Sequence, residues 1–88
     1  MVISKEVTAD NTQVSSGGRF WGFSISGVAA DHATIRSGSQ TGPIIAHAKL
    51  TAEVTSMTVC LPVGVSAGAG LWVNFEAGTP SIVVYFSN

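Results

Sequence analysis

The chain carries few charges. Of its 88 residues only 10% are charged, four basic and five acidic, and the formal net charge is −1, whereas soluble domains average about 25% charged residues. This composition excludes the basic surface that nucleic-acid-binding proteins need, so we expect no nucleic-acid partner. A surface made mainly of Ser, Thr, Gly and Ala is weakly protected against association. The scarcity of charge therefore predicts assembly with partner chains.

Cysteine is equally scarce, because Cys60 is the only one in the sequence. A single cysteine excludes an intramolecular disulfide and a zinc site built from several thiolates. Its neighbours in MTVCLPV are apolar, which predicts a small packed side chain rather than a nucleophile.

Long apolar runs are missing too, so we expect no membrane partner and no membrane-spanning segment. Residues 1–12 contain no positive region followed by an apolar segment, and we expect no export signal. A chain of 88 residues has room for one core, which predicts a single domain over residues 1–88.

Turn residues and β-formers are plentiful. Ten Gly and three Pro, with many Ser and Thr, separate short runs rich in Val, Ile, Phe, Trp and Thr, a pattern typical of all-β proteins. We predict an all-β fold, a single antiparallel β-sandwich of jelly-roll-like type with about seven or eight short strands. The predicted strands cover residues 2–7, 19–28, 32–37, 44–50 and 55–65, and both flanks of the turn at 77–80.

Alternation within the strands assigns side chains to the core. In RFWGFSISGV it places Trp21, Phe23 and Ile25 inward. Pro62 predicts an edge position or a bulge near the end of its strand. The pattern of residues 44–57 is compatible with a strand and with a helix. Their apolar residues recur at helical spacing, whereas the Thr-rich continuation favours strands.

The closing stretch GLWVNFEAGTPSIVVYFSN predicts a β-hairpin with two different faces. One face is apolar and made of Leu71, Val73, Phe75, Ile82, Val84 and Phe86. The opposite face is too apolar to be fully solvated. We predict that it is an interface, formed by Trp72 and Asn74, by Tyr85 and Val83 opposite them, and by the outward-facing Arg36.

The stretch DHATIRSGSQTGPIIAH gathers several reactive side-chain types. In a hairpin centred near Gln40, His32 pairs with His47, so the two imidazoles would be neighbours on one sheet face. A metal ion needs further ligands, and Asp31, the nearest candidate, would point to the opposite face. We interpret the pair as outward-facing residues and predict no metal site.

No pattern for catalysis or for cofactor binding stands out. The sequence has no Gly-x-Ser-x-Gly elbow before a helix, no suggestive pair of carboxylates and no phosphate-binding loop with its lysine. A chain of this size also leaves little structure for a deep pocket. We therefore predict a protein that is not an enzyme, with no catalytic residues and no cofactor.

The order of these motifs resembles a known group of proteins. RFWGFSISG, ATIRSGSQTGPIIAHAKL and GVSAGAGLWVNFEAGTPSIVVYF follow one another as in the small all-β virion proteins that tailed bacteriophages encode, and the match spans residues 15–86. The acidic turn that usually follows the third strand in that group is replaced here by RSGSQTG, so no ligand at that turn is carried over.

The resemblance implies a structural role in the virion, with assembly in the host cytoplasm. It points to a capsid decoration or cement subunit that contacts the major capsid protein and forms a homo-oligomer, often a trimer, and that stabilises the shell through repeated contacts. Two alternatives stay open: a neck, tail or fibre component, and a carbohydrate- or receptor-binding β-sandwich module that uses Trp72 or Tyr85 as a stacking platform.

Overall fold

The computed structural model describes residues 2–66 and 70–87, with the backbone alone at residue 63. In this part of the chain 65% of the residues lie in strands and none in a helix, so residues 44–57 are strands with a turn between them. None of the described residues belongs to a helix long and apolar enough to cross a membrane. The strands are β1 (Ile3–Val7), β2 (Thr12–Ser15), β3 (Arg19–Ser26), β4 (His32–Ser37), β5 (Ile44–Lys49), β6 (Ser56–Ser66), β7 (Leu71–Ala77) and β8 (Ser81–Ser87).

The strands form two four-stranded antiparallel sheets. Sheet I has the order β1-β8-β3-β6, and sheet II has the order β2-β7-β4-β5. The two sheets pack on each other, which confirms the prediction of an all-β, sandwich-like fold. β2 is an addition to the predicted strands, because its four residues lie in a turn-rich stretch that reads as a connector.

The predicted β7–β8 hairpin is wrong. β7 pairs with β2 and β4 in sheet II, whereas β8 pairs with β1 and β3 in sheet I. Residues 78–80 carry the chain from one sheet to the other. The sequence pattern is compatible with both arrangements, because an alternating strand presents the same apolar face whether its successor lies beside it or across the core.

The core lies between the two sheets and is filled from both of them. Sheet I contributes Val7, Phe20, Phe23, Ile25, Ile82, Val84 and Phe86, and sheet II contributes Val14, Ala33, Ile35, Ala48, Leu71 and Val73, with Leu50 following β5. The alternation predicted for β7 and β8 is thus confirmed for five of six apolar residues, while Phe75 is only half-buried. Their side chains face one another across the core instead of lying side by side.

Trp21 departs from its predicted position because β3 contains a β-bulge. The register of β3 shifts between Phe20 and Gly22, so Phe20 is buried in place of Trp21. Trp21 is half-buried, and its indole Nε1 donates a hydrogen bond to Ser87 Oγ at 2.8 Å. Gly22 has φ +144°, and a Cβ there would collide with the carbonyl oxygen of Val59. The extra residue of a bulge puts strict alternation out of phase, which explains the wrong face predicted for Trp21.

β6 is an edge strand, and its pairing with β3 is irregular between Cys60 and Val65, on either side of Pro62. The prediction of an edge or bulge at Pro62 is therefore confirmed. Cys60 is exposed, so the packed position predicted for it is wrong. Its partner in β3 is Gly22, which offers no side chain to cover it.

Both open sides of the sandwich combine buried and partly exposed apolar residues. On the β1/β2 side, Lys5 Nζ reaches the Gln13 carbonyl oxygen at 3.4 Å and Val7 is buried, but Ile3 is exposed. On the β5/β6 side, Ala48 and Leu50 are buried. Five further apolar residues there pack against the core and are only partly buried: Ile45, Ala46, Met57, Val59 and Leu61. The core is therefore incompletely covered on both sides.

Candidate functional site

The five residues predicted to form one interface lie on two opposite outer faces of the molecule. Arg36, Trp72 and Asn74 belong to sheet II, whereas Val83 and Tyr85 belong to sheet I. Because β7 and β8 are in different sheets, the predicted pairs of Trp72 with Tyr85 and of Asn74 with Val83 do not form. The candidate site therefore consists of two separate faces, one on each sheet.

The outer face of sheet II is centred on Arg36 and Glu76. Arg36 lies beside Trp72 in the pairing of β4 with β7. Glu76 Oε1 accepts a hydrogen bond from Thr34 Oγ1 at 2.9 Å and lies 3.4 Å from Arg36 Nη2. The ion pair is partly exposed and contributes little to stability, about 0–1 kcal/mol. Its effect is to hold the guanidinium of Arg36 over the sheet.

Two side chains of this face also bind the loop between β4 and β5. Arg36 Nη1 donates to the Gly42 carbonyl oxygen at 2.9 Å, and Asn74 Nδ2 donates to the Gln40 carbonyl oxygen at 2.7 Å. Under this loop, Arg36 Nε, Trp72 Nε1 and Asn74 Oδ1 are buried and have no hydrogen-bond partner among the described residues. Two donors and one acceptor on neighbouring strands suit a bridging water or a small polar group.

His32 and His47 are neighbours on the same face, as the sequence predicts. The register differs from the predicted one by two residues, since His32 is paired with Lys49 and His47 with Thr34. The rings are stacked with centroids 5.3 Å apart and planes 27° apart, and Nε2 of His32 lies 3.1 Å from Nδ1 of His47. A slip of two residues leaves side chains on the same face, which is why the contact survives.

Burial and the neighbouring His47 lower the pKa of His32 below its ordinary value of 6.5, with Lys49 acting in the same direction and Glu76 opposing it. The hydrogen bond between the rings also requires one nitrogen without a proton, so a doubly protonated pair loses it. His32 is thereby favoured in its neutral form.

Asp31 has a structural position. Its Oδ2 accepts a hydrogen bond from the Val28 backbone N–H at 3.0 Å, and the carboxylate lies against Gly27 and Gly78. Within residues 2–66 and 70–87, no group of three or more His, Cys, Asp or Glu side chains is placed to hold a metal ion. Asp31, the acidic residue closest in sequence to the histidine pair, therefore stabilises the turn that precedes β4.

The outer face of sheet I is lined by hydroxyl groups that bond across its strands. Ser24 Oγ lies 2.6 Å from Tyr85 Oη and 3.0 Å from Thr58 Oγ1, which joins β8, β3 and β6. Trp21 extends the face through its bond to Ser87. Val83 and Tyr85, the two predicted interface residues of this sheet, are half-buried here.

A shallow groove of about 250 Å³ lies toward one end of the same face. Its lining is mostly hydroxyl-bearing, with one carboxylate: Glu6, Ser24, Ile25, Ser26, Ser56, Met57, Thr58, Ser81 and Val83. No motif considered in the sequence predicts this groove. The signal that points to it is the two-residue spacing of hydroxyl side chains in FSIS and in TSMT, which places them on one face of adjacent strands.

Comparison with protein-family models, curated proteins and solved structures finds no match for this chain. The resemblance to phage virion proteins therefore stays a prediction, and the function has to be argued from the two faces themselves.

Proposed function

We propose that the protein is a non-enzymatic structural subunit of a tailed-bacteriophage particle, a capsid decoration or cement protein that binds the major capsid protein. In this proposal it acts as a homo-oligomer in the virion, after assembly in the host cytoplasm, and the outer face of sheet I is the surface that contacts the shell. The proposal rests on the resemblance of residues 15–86 and on one structural observation, the character of that face.

The outer face of sheet I is broad and carries few charges. Register and burial assign to it Ser4, Glu6, Arg19, Trp21, Ser24, Ser26, Ser56, Thr58, Cys60, Ser81, Val83, Tyr85 and Ser87. Its two charged members lie at its margins, Glu6 in the edge strand β1 and Arg19 at the start of β3. The centres of protein interfaces are depleted in charge and enriched in aromatic residues. Trp21 and Tyr85 would supply the aromatic anchors, and the hydroxyl groups would supply hydrogen bonds.

The finer fold assignment belongs to the same proposal. We assign the sandwich to the jelly-roll type, because each sheet alternates strands from the first and second halves of the chain, in the orders β1-β8-β3-β6 and β2-β7-β4-β5. Jelly rolls are common in viral capsid and lectin domains. The assignment is consistent with a virion role but does not by itself select one, since fold does not fix function.

The outer face of sheet II favours a second candidate, a carbohydrate- or receptor-binding module. Trp72 is half-buried there, and its Nε1, like Arg36 Nε and Asn74 Oδ1 on the same two strands, is buried without a hydrogen-bond partner among the described residues. An aromatic side chain flanked by hydrogen-bonding groups is typical of small-ligand sites. The loop held by Asn74 and Arg36 lies over this cluster, which weakens the case for an open stacking platform.

The experiment that tests the first candidate is quantitative mass spectrometry of particles purified from cells whose phage genome encodes this chain. A decoration protein is expected at a copy number comparable with that of the major capsid protein. Presence at only a few copies per particle would favour a neck, tail or fibre position. Absence from purified particles, with the chain detected in the same cell lysate, would contradict the virion proposal altogether.

A further inference from the structure

The free edge of β6 is the longest strand edge in the described structure and carries no charge. β6 spans 11 residues, compared with five in β1, four in β2 and six in β5, which form the other sheet edges. No Asp, Glu, Lys or Arg occurs between Glu53 and Glu76. Proteins normally protect long edges with charged residues, bulges or a covering segment.

The other three edges carry such protection. β1 contains Lys5 and Glu6, and Lys5 is bonded to β2 across the gap between the sheets. β5 contains His47 and ends at Lys49. β2 has only four residues. β2 also lacks charge but is short, so among the four described edges β6 is the one that is both long and without charge.

Only the first half of β6 is suited to pairing with a further strand. Pro62 lacks a backbone N–H, and the register against β3 is irregular around it, between Cys60 and Val65. The Gly64 carbonyl oxygen already accepts a hydrogen bond from Arg19 Nη1 at 3.2 Å. The regular stretch before Pro62, residues 56–60, pairs with β3 without interruption.

We propose that this edge pairs with the same edge of a second copy of the chain, antiparallel and centred on Val59. In that register Met57 lies opposite the second copy's Leu61, Val59 lies opposite its counterpart, and Thr58 lies opposite Cys60. Apolar side chains thus meet apolar ones on the inner side, and small polar side chains meet on the outer side. No like charges are brought together, which makes the edge complementary to itself.

The same contact covers apolar side chains that are partly exposed on the β5/β6 side of the sandwich. Met57, Val59 and Leu61 pack against the core but remain partly exposed, next to Ile45 and Ala46 of β5. Pairing through β6 buries these side chains further and removes the unprotected edge. It also joins two copies of sheet I into one eight-stranded sheet with a continuous outer face. This inference concerns how two copies join and does not depend on the phage role.

The test uses the purified full chain and two matched variants on opposite edges of sheet I. Thr58→Lys places a charge on the β6 edge, and Ser4→Lys places the same charge on the β1 edge; both residues are exposed. Sedimentation equilibrium is expected to give a dimer for the natural chain and for Ser4→Lys. Because each dimer contains the substitution twice, Thr58→Lys should weaken dimerisation roughly tenfold or more. Circular dichroism shows whether both variants keep the fold.

A second readout uses the natural chain alone. Cys60 is its only cysteine and is exposed. In the proposed register the two Cys60 Cα atoms are about 8 Å apart, from a strand spacing of about 4.8 Å and a two-residue offset of about 6.8 Å. After Cys60 has been reduced and the reductant removed, a short bismaleimide should therefore link two copies efficiently, each Cys60 thiol adding to one maleimide double bond, and Cys60→Ser should abolish the product.

Several outcomes would overturn the inference: a monomer, a trimer, equal weakening by both lysine variants, or a dimer that the short linker does not trap at Cys60. If Thr58→Lys fails to fold, the cross-linking result on the natural chain decides alone. These outcomes are separate from the particle experiment, because a chain that dimerises through β6 yet is absent from particles contradicts only the phage role.

Discussion

At the scale of single residues, the histidine pair is the contact most sensitive to solution conditions. One imidazole nitrogen must accept the hydrogen bond between His32 and His47, at 3.1 Å, and this requires a neutral ring. His32 is partly buried, and the groups around it are His47, Lys49 and Glu76. Of these, only Glu76 favours a proton on His32.

We expect the stability of the protein to fall as the pH decreases below about 6.5. The pKa of His32 is lowered in the folded state from its ordinary value of 6.5, so the unfolded chain takes up the proton first. The contribution of His32 is therefore fully present above pH 6.5 and is lost as the pH falls toward the folded-state pKa. Urea unfolding at pH values from about 5 to about 8, on both sides of the ordinary histidine pKa of about 6.5, measures this change in stability.

His47→Gln is the matched variant for this prediction, since it removes the neighbouring charge but leaves His32 partly buried. NMR titration of His32 should show its pKa rising toward 6.5 in the variant without reaching it, because burial is the largest cause of the shift. If the pKa of His32 in the unsubstituted protein is 6.5 or higher, the predicted loss of stability at low pH is wrong.

At the scale of elements, the link between β7 and β8 deserves the closest test, because it is where the chain changes sheets. Gly78 has φ +71°, a left-handed conformation that favours glycine. A Cβ on Gly78 would collide with the carboxylate of Asp31, whose Oδ2 accepts the Val28 N–H. The crossing is thus packed against the turn that precedes β4.

Gly78→Ala should destabilise the fold more than Gly38→Ala. Both glycines are exposed and have positive φ, but a Cβ on Gly38 meets nothing within 4 Å. Backbone strain alone costs about 1–2 kcal/mol at either position, and displacing the hydrogen-bonded carboxylate of Asp31 adds about 1–3 kcal/mol at Gly78. Urea unfolding of the two variants side by side measures the difference. Equal losses would mean that the packing of Asp31 on the crossing contributes nothing.

The sequence predicts which residues of β7 and β8 are buried but does not predict how these strands pair. Alternation identified the buried residues of β7 and β8, because burial depends on which face is apolar. It could not assign the two strands to one sheet or to two, because that depends on long-range pairing. The bulge next to Gly22 moved Trp21 outward, and both the positive φ of Gly22 and the approach of the Val59 carbonyl oxygen explain that glycine. Such a contact is made in the folded chain and leaves no local pattern.

At the scale of the whole molecule, the two outer faces differ in character. Sheet II presents the pair of Arg36 and Glu76, with Arg36 also bonded to a loop, and the bonded pair of His32 and His47. Sheet I presents hydroxyl and aromatic groups, with Glu6 and Arg19 as charged side chains at its margins. The sequence analysis placed Trp72 and Tyr85 together on one face, whereas the folded chain puts them on opposite faces.

The central claim is that the outer face of sheet I contacts the shell, and hydroxyl-radical footprinting of particles tests it most directly. Trp21 and Tyr85 report on sheet I and Trp72 on sheet II, and all three are half-buried in the isolated chain. We predict that oxidation of Trp21 and Tyr85 drops in particles relative to the free protein, while that of Trp72 stays the same. Unchanged oxidation of Trp21 and Tyr85 in particles that contain the chain would contradict the claim.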